Sequence, residues 1–208
     1  MDEVKRSAMV KDTVRYTIAN YMVQGIGIIN SVVMRRFMGP AAMGVWSILQ
    51  VILGYCGYAS FGTTKALMRD YPYLRGKGEH AKADELKNLV FTFSMLGSFL
   101  PAAGILTYAV WKWHEMTFVF RFGLLFLSGF LFLQRFYDLV LGLLRCDKRF
   151  DILSVLMVIN AVGGLIVSLT FVKKWIVVGL YLGTPLMMGL LLFFIYKNKP
   201  YKFQLFLN

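Results

Sequence analysis

Apolar residues recur along this chain in runs of about twenty, close to the length an α-helix needs to cross a hydrocarbon core. The runs fall at 17–37, 41–64, 89–110, 118–144, 152–172 and 175–196, with one long hydrophilic connection, RDYPYLRGKGEHAKADELKN, at 69–88. The strict alternation of barrel strands is absent and the runs are too long for it. Helices, which satisfy every backbone group inside lipid, are therefore expected. The pattern predicts an all-α fold: a polytopic integral membrane bundle of six transmembrane helices in one domain over 1–208, with a cytoplasmic loop at 65–88. Within that loop the AKADELKN half reads as a helix lying along the membrane surface. The other connections are short, so neighbouring spans should pair as antiparallel hairpins.

Composition excludes a soluble domain: 58% of residues are hydrophobic, 16% are charged and the mean hydropathy is +0.60. The first run follows Lys5, Arg6, Lys11 and Arg15, but it is followed by Arg35 and Arg36 instead of a small-residue cleavage site, so it reads as a retained signal anchor. With the N-terminus inside, sixteen Lys and Arg face the cytoplasm and six face the other side. That bias places both termini in the cytoplasm, and it puts Trp111, Trp113 and Trp175 at the outer boundary. The net charge of +12 is then a matter of topology and of attraction to anionic inner-leaflet lipids, not of a nucleic-acid partner. Cys56 and Cys146 fall in separate places and are not expected to pair. A multi-pass protein of the cytoplasmic (inner) membrane is expected.

Polar residues inside the runs carry the chemistry. Asn20, Gln24, Gly27, Ser31 and Arg35 make one stripe down the first helix, and Ser47, Gln50, Gly54, Gly57 and Phe61 make another down the second. The amides of Asn20, Gln24 and Gln50 need partners or water at membrane depth, which points to a wet cavity. The small residues of the last two runs, such as Gly179 and Gly183, read as helix packing. The fourth run is the sharpest case, because LFLQRFYDLVLGLL sets Arg135 and Asp138 in an apolar helix. A charge at a helix centre costs about 2.5–3.5 kcal/mol on insertion scales. Two arrangements relieve it. Either the run ends near Gln134 and the cluster reaches the cytoplasmic headgroups, or Arg135 and Asp138 face a polar cavity whose outer rim is marked by Arg121.

The only histidines, His80 and His114, lie in connections, and the sequence contains no HExxH, no GxSxG, no paired-carboxylate metal motif and no phosphate-cradling glycine loop. No catalytic residue, metal or cofactor is expected. A channel would need a ring of like groups, which six dissimilar runs do not supply. A carrier or flippase remains, beside a non-transporting scaffold subunit.

RRFMGPAAMGVWSILQ at 35–50 resembles the arginine, glycine-proline and glycine-plus-aromatic signature between the first two spans of oligosaccharide flippases of the O-antigen type. These belong to the multidrug, oligosaccharidyl-lipid and polysaccharide exporter superfamily. YASFGTTKALMRDYP at 58–72 resembles the same family's exit from the second span, and the basic NKPYKF tail at 198–203 fits as well. The resemblance implies one lobe of a two-lobed, alternating-access transporter that turns a polyprenyl-diphosphate-linked glycan to the outer leaflet in surface polysaccharide or lipopolysaccharide synthesis. It implies cavity arginines that hold the diphosphate, a role suited to a guanidinium fork. Arg35, Gly39, Pro40 and Gly44 are the positions matched by motif. Arg36, Arg121 and Arg135, with Asp138 as partner or titrating switch, are candidates from the polar pattern. The expected partners are the missing C-terminal lobe or a second copy, membrane lipids, and the glycan polymerase and glycosyltransferases. The alternatives are a cation-coupled multidrug exporter of the same superfamily and a scaffold of a glycan-assembly complex.

Overall fold

Long apolar runs favour helix in lipid, where every backbone group must be satisfied internally, and the described chain is almost entirely helical. The computed structural model describes residues 2–60 and 62–198, with side chains described at 13–60, 62–172, 181 and 183–195. Phe61, the NKPYKF tail beyond Asn198, and the side chains of Lys5, Arg6, Lys11, Lys173, Lys174, Trp175 and Lys197 lie outside these described residues. The elements are α1 (Asp2–Gly57), a 3-10 turn (Tyr58–Ser60), α2 (Thr63–Gly76), α3 (His80–Trp111), α4 (Phe118–Cys146) and α5 (Phe150–Asn198), with no strand among the described residues.

Four stretches are long and apolar enough to cross a membrane: Thr13–Ser60, His80–Trp111, Phe118–Cys146 and Phe150–Val172. Gly183–Ile195 is a shorter apolar helix. The protein is thus a multi-pass membrane protein with an all-helical fold. Its outward faces suit lipid, with Ile28, Val32, Phe99, Leu100 and Phe193 largely exposed.

Both of the longest helices contain a break. In α1 the break is Gly39, at φ 72 and ψ 170, immediately before Pro40. Only glycine takes this conformation readily, and the proline bars the preceding residue from helical geometry. In α5 the chain doubles back. A Cβ on Gly163 would meet the side chain of Met187, and one on Gly183 would lie 3.0 Å from Val167. Residues 163 and 187 would be about 36 Å apart on a straight helix, so the direction reverses between Ser168 and Gly183.

The hydrophilic segment 65–88 is not an irregular loop: AKADELKN is helical as expected, and the half before it is largely helical as well. Its first half lies in α2, and AKADELKN forms the opening turns of α3, continuous with the apolar helix. Burial explains this. Leu67 and Tyr71 of α2 pack with Ala83 and Val90 of α3 and with Leu139 and Leu143 of α4. The turn before α2 is seated tightly: a Cβ at Gly97 would come 2.7 Å from the Ala59 carbonyl oxygen, and the Thr63 and Ser94 hydroxyls are 3.3 Å apart. Ser94, Gly97 and Ser98 are therefore packing residues.

Two further cores position the site. One joins the second limb of α1 to α3, α4 and α5 through Leu49, Ala109, Leu124 and Tyr181. The other joins α4 to both limbs of α5 through Tyr137, Leu144, Leu153 and Leu192. The only cysteines, Cys56 and Cys146, are both free thiols.

Candidate functional site

On the second limb of α1, Gln50, Gly54 and Gly57 recur at helical spacing, and on α4 Leu131, Gln134, Arg135 and Asp138 share one face. The two faces line an open cavity of about 300 Å³, completed by Leu53, with Gln50 and Gly54 exposed on its α1 wall. A Cβ at Gly54 or Gly57 would meet no atom within 4 Å, so the glycines keep the α1 wall low and leave the volume open. The polar cluster of α4 thus borders an open polar cavity with room for several waters.

Arg135 donates from Nη2 to the Cys56 carbonyl oxygen at 2.6 Å. That carbonyl belongs to the last turn of α1, where backbone acceptors lack helical partners and carry the negative end of the helix dipole. A guanidinium has five N–H donors, and Arg135 makes no other hydrogen bond among the described residues. It makes no ion pair with Asp138 within 4 Å. One turn apart on the same helix, the arginine reaches across to α1 and the carboxylate is left beside the cavity.

No family model matches the sequence, and no curated protein sequence matches it. Two solved structures share its architecture. One, the outward-facing conformation of a multidrug resistance MATE family transporter of the MOP superfamily, aligns over 91% of this chain and 45% of its own, with a TM-score of 0.67 and 18% identity. The other, a MOP superfamily transporter from Pyrococcus furiosus described for the reverse polarity of its binding pocket, aligns over 91% and 44%, with a TM-score of 0.66 and 18% identity. The chain has the fold of one half of such a transporter. It spans less than half the length of the structures it matches, and both of those are transporters.

Within this fold the remaining candidates are dispersed. Gln50 joins Arg135 and Asp138 at the cavity. Arg121 does not: its guanidinium stacks on Trp113 at 4.4 Å and donates to the Met116 carbonyl at 3.0 Å, in the α3–α4 connection. Fourteen residues of helix set it about 21 Å along α4 from Arg135. Arg35 and Arg36 are exposed at the end of the first limb of α1, next to the Gly39 break, and neither lines this cavity. Asn20 is half-buried and Gln24 exposed on the same limb, also away from the cavity. Gly39 and Pro40 form the break itself, and Gly44 lies on the exposed side of the second limb.

One functional candidate was not visible in the polar pattern. Tyr181 of α5 is buried, and its hydroxyl has no hydrogen-bond partner among the described residues. It lines a second cavity of about 270 Å³ that shares Gln50, Leu53 and Gln134 with the first. The available signal was a phenol within an apolar run, flanked by Gly179 and Gly183.

Proposed function

We propose that this chain forms a six-span lobe of a transporter in the cytoplasmic membrane, with both termini cytoplasmic. The lobe takes part in flipping a polyprenyl-diphosphate-linked oligosaccharide by alternating access during surface polysaccharide synthesis. The breaks at Gly39 and between Ser168 and Gly183 support six crossings, because each divides a helix too long for one. The observation that carries the substrate reading is Arg135. Its guanidinium is anchored at one nitrogen to Cys56 and keeps its other donors for the cavity, where a phosphate could take two of them at once. Gln50 and Gln134 add neutral donors and acceptors around the same space. Membrane lipids, a second lobe or second copy, and the polymerase and glycosyltransferases that make and use the glycan are the partners this reading implies.

A second reading, the cation-coupled exporter, is favoured by Asp138, a carboxylate beside the cavity with no ion pair among the described residues. Pocket polarity is the property that separates the two. The Pyrococcus furiosus structure is itself described in terms of a reversed pocket polarity suggesting a different function.

The test uses the full chain in lipid nanodiscs with farnesyl diphosphate as a short polyprenyl probe and tetraphenylphosphonium as an organic cation. Saturable farnesyl diphosphate binding that disappears in Arg135→Ala and is partly kept in Arg135→Lys supports the flippase reading. Tetraphenylphosphonium binding that depends on Asp138, with no diphosphate binding, moves the assignment to the exporter. Binding of neither favours the scaffold subunit.

A further inference from the structure

Away from both cavities, the first limb of α1 and the first limb of α5 run side by side from the same end of the bundle. Their spans begin at Thr13 and Phe150, and the rings of Tyr16 and Phe150, with centroids 5.6 Å apart, join the two starts. An open groove of about 460 Å³ lies between the helices. Side-chain size explains its shape. Ala19 and Ser154, both buried, make a low floor, while Ile18 and Met22 on α1 and Val155 and Ile159 on α5, each about half-exposed, stand up as rims. The Ser154 hydroxyl donates back to the Phe150 carbonyl oxygen at 2.6 Å, so its proton is already used within the helix.

Only one end of the groove is charged. Arg15 and Asp151 line it within the first turn of their spans, and both are exposed. They form no ion pair within 4 Å among the described residues. Lys148 and Arg149, just before α5, do not line the groove. At a rise of 1.5 Å per residue, Met22 and Ile159 lie about 10–12 Å further along their helices than the two charges. That length fits within one leaflet of a hydrocarbon core about 30 Å thick.

One cation and one anion at the mouth, with apolar walls running into the leaflet, complement a lipid whose headgroup carries both charges. A phosphate suits the guanidinium fork of Arg15, and a primary ammonium can donate to the Asp151 carboxylate. An anionic headgroup would set like charge against Asp151, and a cationic amphiphile would do the same against Arg15. A choline head has the right charges but no N–H to donate. We infer that this groove binds a phosphoethanolamine lipid of the leaflet in which the two spans begin, with one acyl chain lying between α1 and α5. The groove shares no lining residue with the Arg135 cavity, so the site stands apart from the substrate assigned there.

The experiment places the full chain in phosphatidylcholine nanodiscs doped in turn with phosphatidylethanolamine, phosphatidylcholine or phosphatidylglycerol, each carrying a photoactivatable diazirine in its acyl chain. Crosslinks are mapped by peptide mass spectrometry. The ethanolamine probe should label 13–22 and 151–159 about two- to tenfold more than the other two, the range for one net hydrogen bond. Asp151→Asn should bring it down to the level of the choline probe, and Arg15→Gln should lower labelling of these segments by both. Each changed residue is exposed, so the variants should unfold thermally close to the wild type. Equal labelling by all three probes, unchanged in the variants, makes the groove an ordinary lipid-facing surface and overturns the site. A preference for the glycerol probe that depends on Arg15 overturns the headgroup assignment. Labelling elsewhere on the chain but not on these two segments shows that protein covers the groove, and overturns it as well.

Discussion

The Arg135 guanidinium of α4 lies 2.6 Å from the carbonyl oxygen of Cys56 and so closes the last turn of α1 with a charge from another helix. The bond joins two walls of one cavity, which means the same side chain fixes the width of the cavity and supplies its positive charge. Asp138, three residues further along α4, is held by neither α1 nor Arg135 among the described residues.

Stability should therefore separate the two charges. A hydrogen bond from a charged donor contributes about 1.5–3 kcal/mol, so Arg135→Ala should lower thermal stability in detergent by that order, with Asp138→Asn costing much less. Because the two do not pair, the double variant should be no more stable than Arg135→Ala alone. Recovery of stability in the double variant would show that the carboxylate and guanidinium do compensate each other.

The start of α3 offers a second test. Lys87 is 7% exposed and its ammonium bonds the Asp84 carboxylate at 2.7 Å, while Asp84 itself is largely in solvent. Breaking a buried pair by removing one partner costs about 3–5 kcal/mol, and the exposure of Asp84 places this pair below that range. Asp84→Asn should still destabilise the α2–α3 region measurably, and Asp84→Asn combined with Lys87→Met should be milder. Hydrogen exchange of the α2 amides is the readout, and equal protection in all three proteins would remove the pair from the account of that packing.

Alkaline pH should act through Tyr71 of α2. Burial pushes its phenol above the ordinary range, opposed by the nearby Arg75 guanidinium and assisted by the Asp147 and Asp84 carboxylates. Arg75 lies 5.7 Å from the Tyr71 ring and bonds Asp147 at 2.9 Å, tying α2 to the α4–α5 turn. A raised folded-state value means that the neutral phenol stabilises the fold. This contribution is complete below the unfolded value of about 10 and is lost as the pH rises through the folded value. Stability above pH 10 should fall less steeply in Tyr71→Phe than in the wild type, and parallel pH profiles would contradict this.

The sixteen-to-six distribution of Lys and Arg predicts which faces of the bundle are cytoplasmic. Single cysteines at Gly78 and Asn198, in a background lacking Cys56 and Cys146, should react with an impermeant maleimide only after the membrane is opened, and a cysteine at Lys174 should react in intact cells. The reverse pattern would invert the proposed orientation.

Much of this architecture was legible because lipid imposes a simple rule on sequence: long apolar runs become helices, and a charge among them must face something polar. Spacing and the cost of exposing them to hydrocarbon marked Gln50 on one helix and Arg135 and Asp138 on another as residues in need of a polar surrounding, and all three line one cavity. Asn20, Gln24, Arg35 and Arg36 obeyed the same spacing but lie on the limb of α1 before Gly39, away from that cavity. Helical periodicity gives the face of a helix but not which neighbour it meets. The helical nature of 63–76 was hidden by its polarity, since only Leu67 and Tyr71 are buried and the rest of α2 meets solvent. Tyr181 was hidden for the opposite reason: in an apolar run a phenol looks like another large side chain until its hydroxyl is seen to lack a partner among the described residues.

The motif RRFMGPAAMGVW contains two glycines that the structure separates, and substitution should separate them too. Gly39 sits at φ 72 and ψ 170, and a Cβ there would meet no neighbour within 4 Å, so the cost of Gly39→Ala is backbone strain alone, about 1–3 kcal/mol. Gly44 lies within the helical second limb, is exposed, and also has no neighbour within 4 Å of a Cβ. There alanine should stabilise by about 0.4–1 kcal/mol by narrowing the unfolded ensemble. Thermal unfolding of the two variants in the same detergent should thus shift in opposite directions. If Gly44→Ala instead destabilises the protein, Gly44 must be in contact with a surface outside the described residues, and its glycine would then be read as a close-approach position of the kind small residues provide between membrane helices.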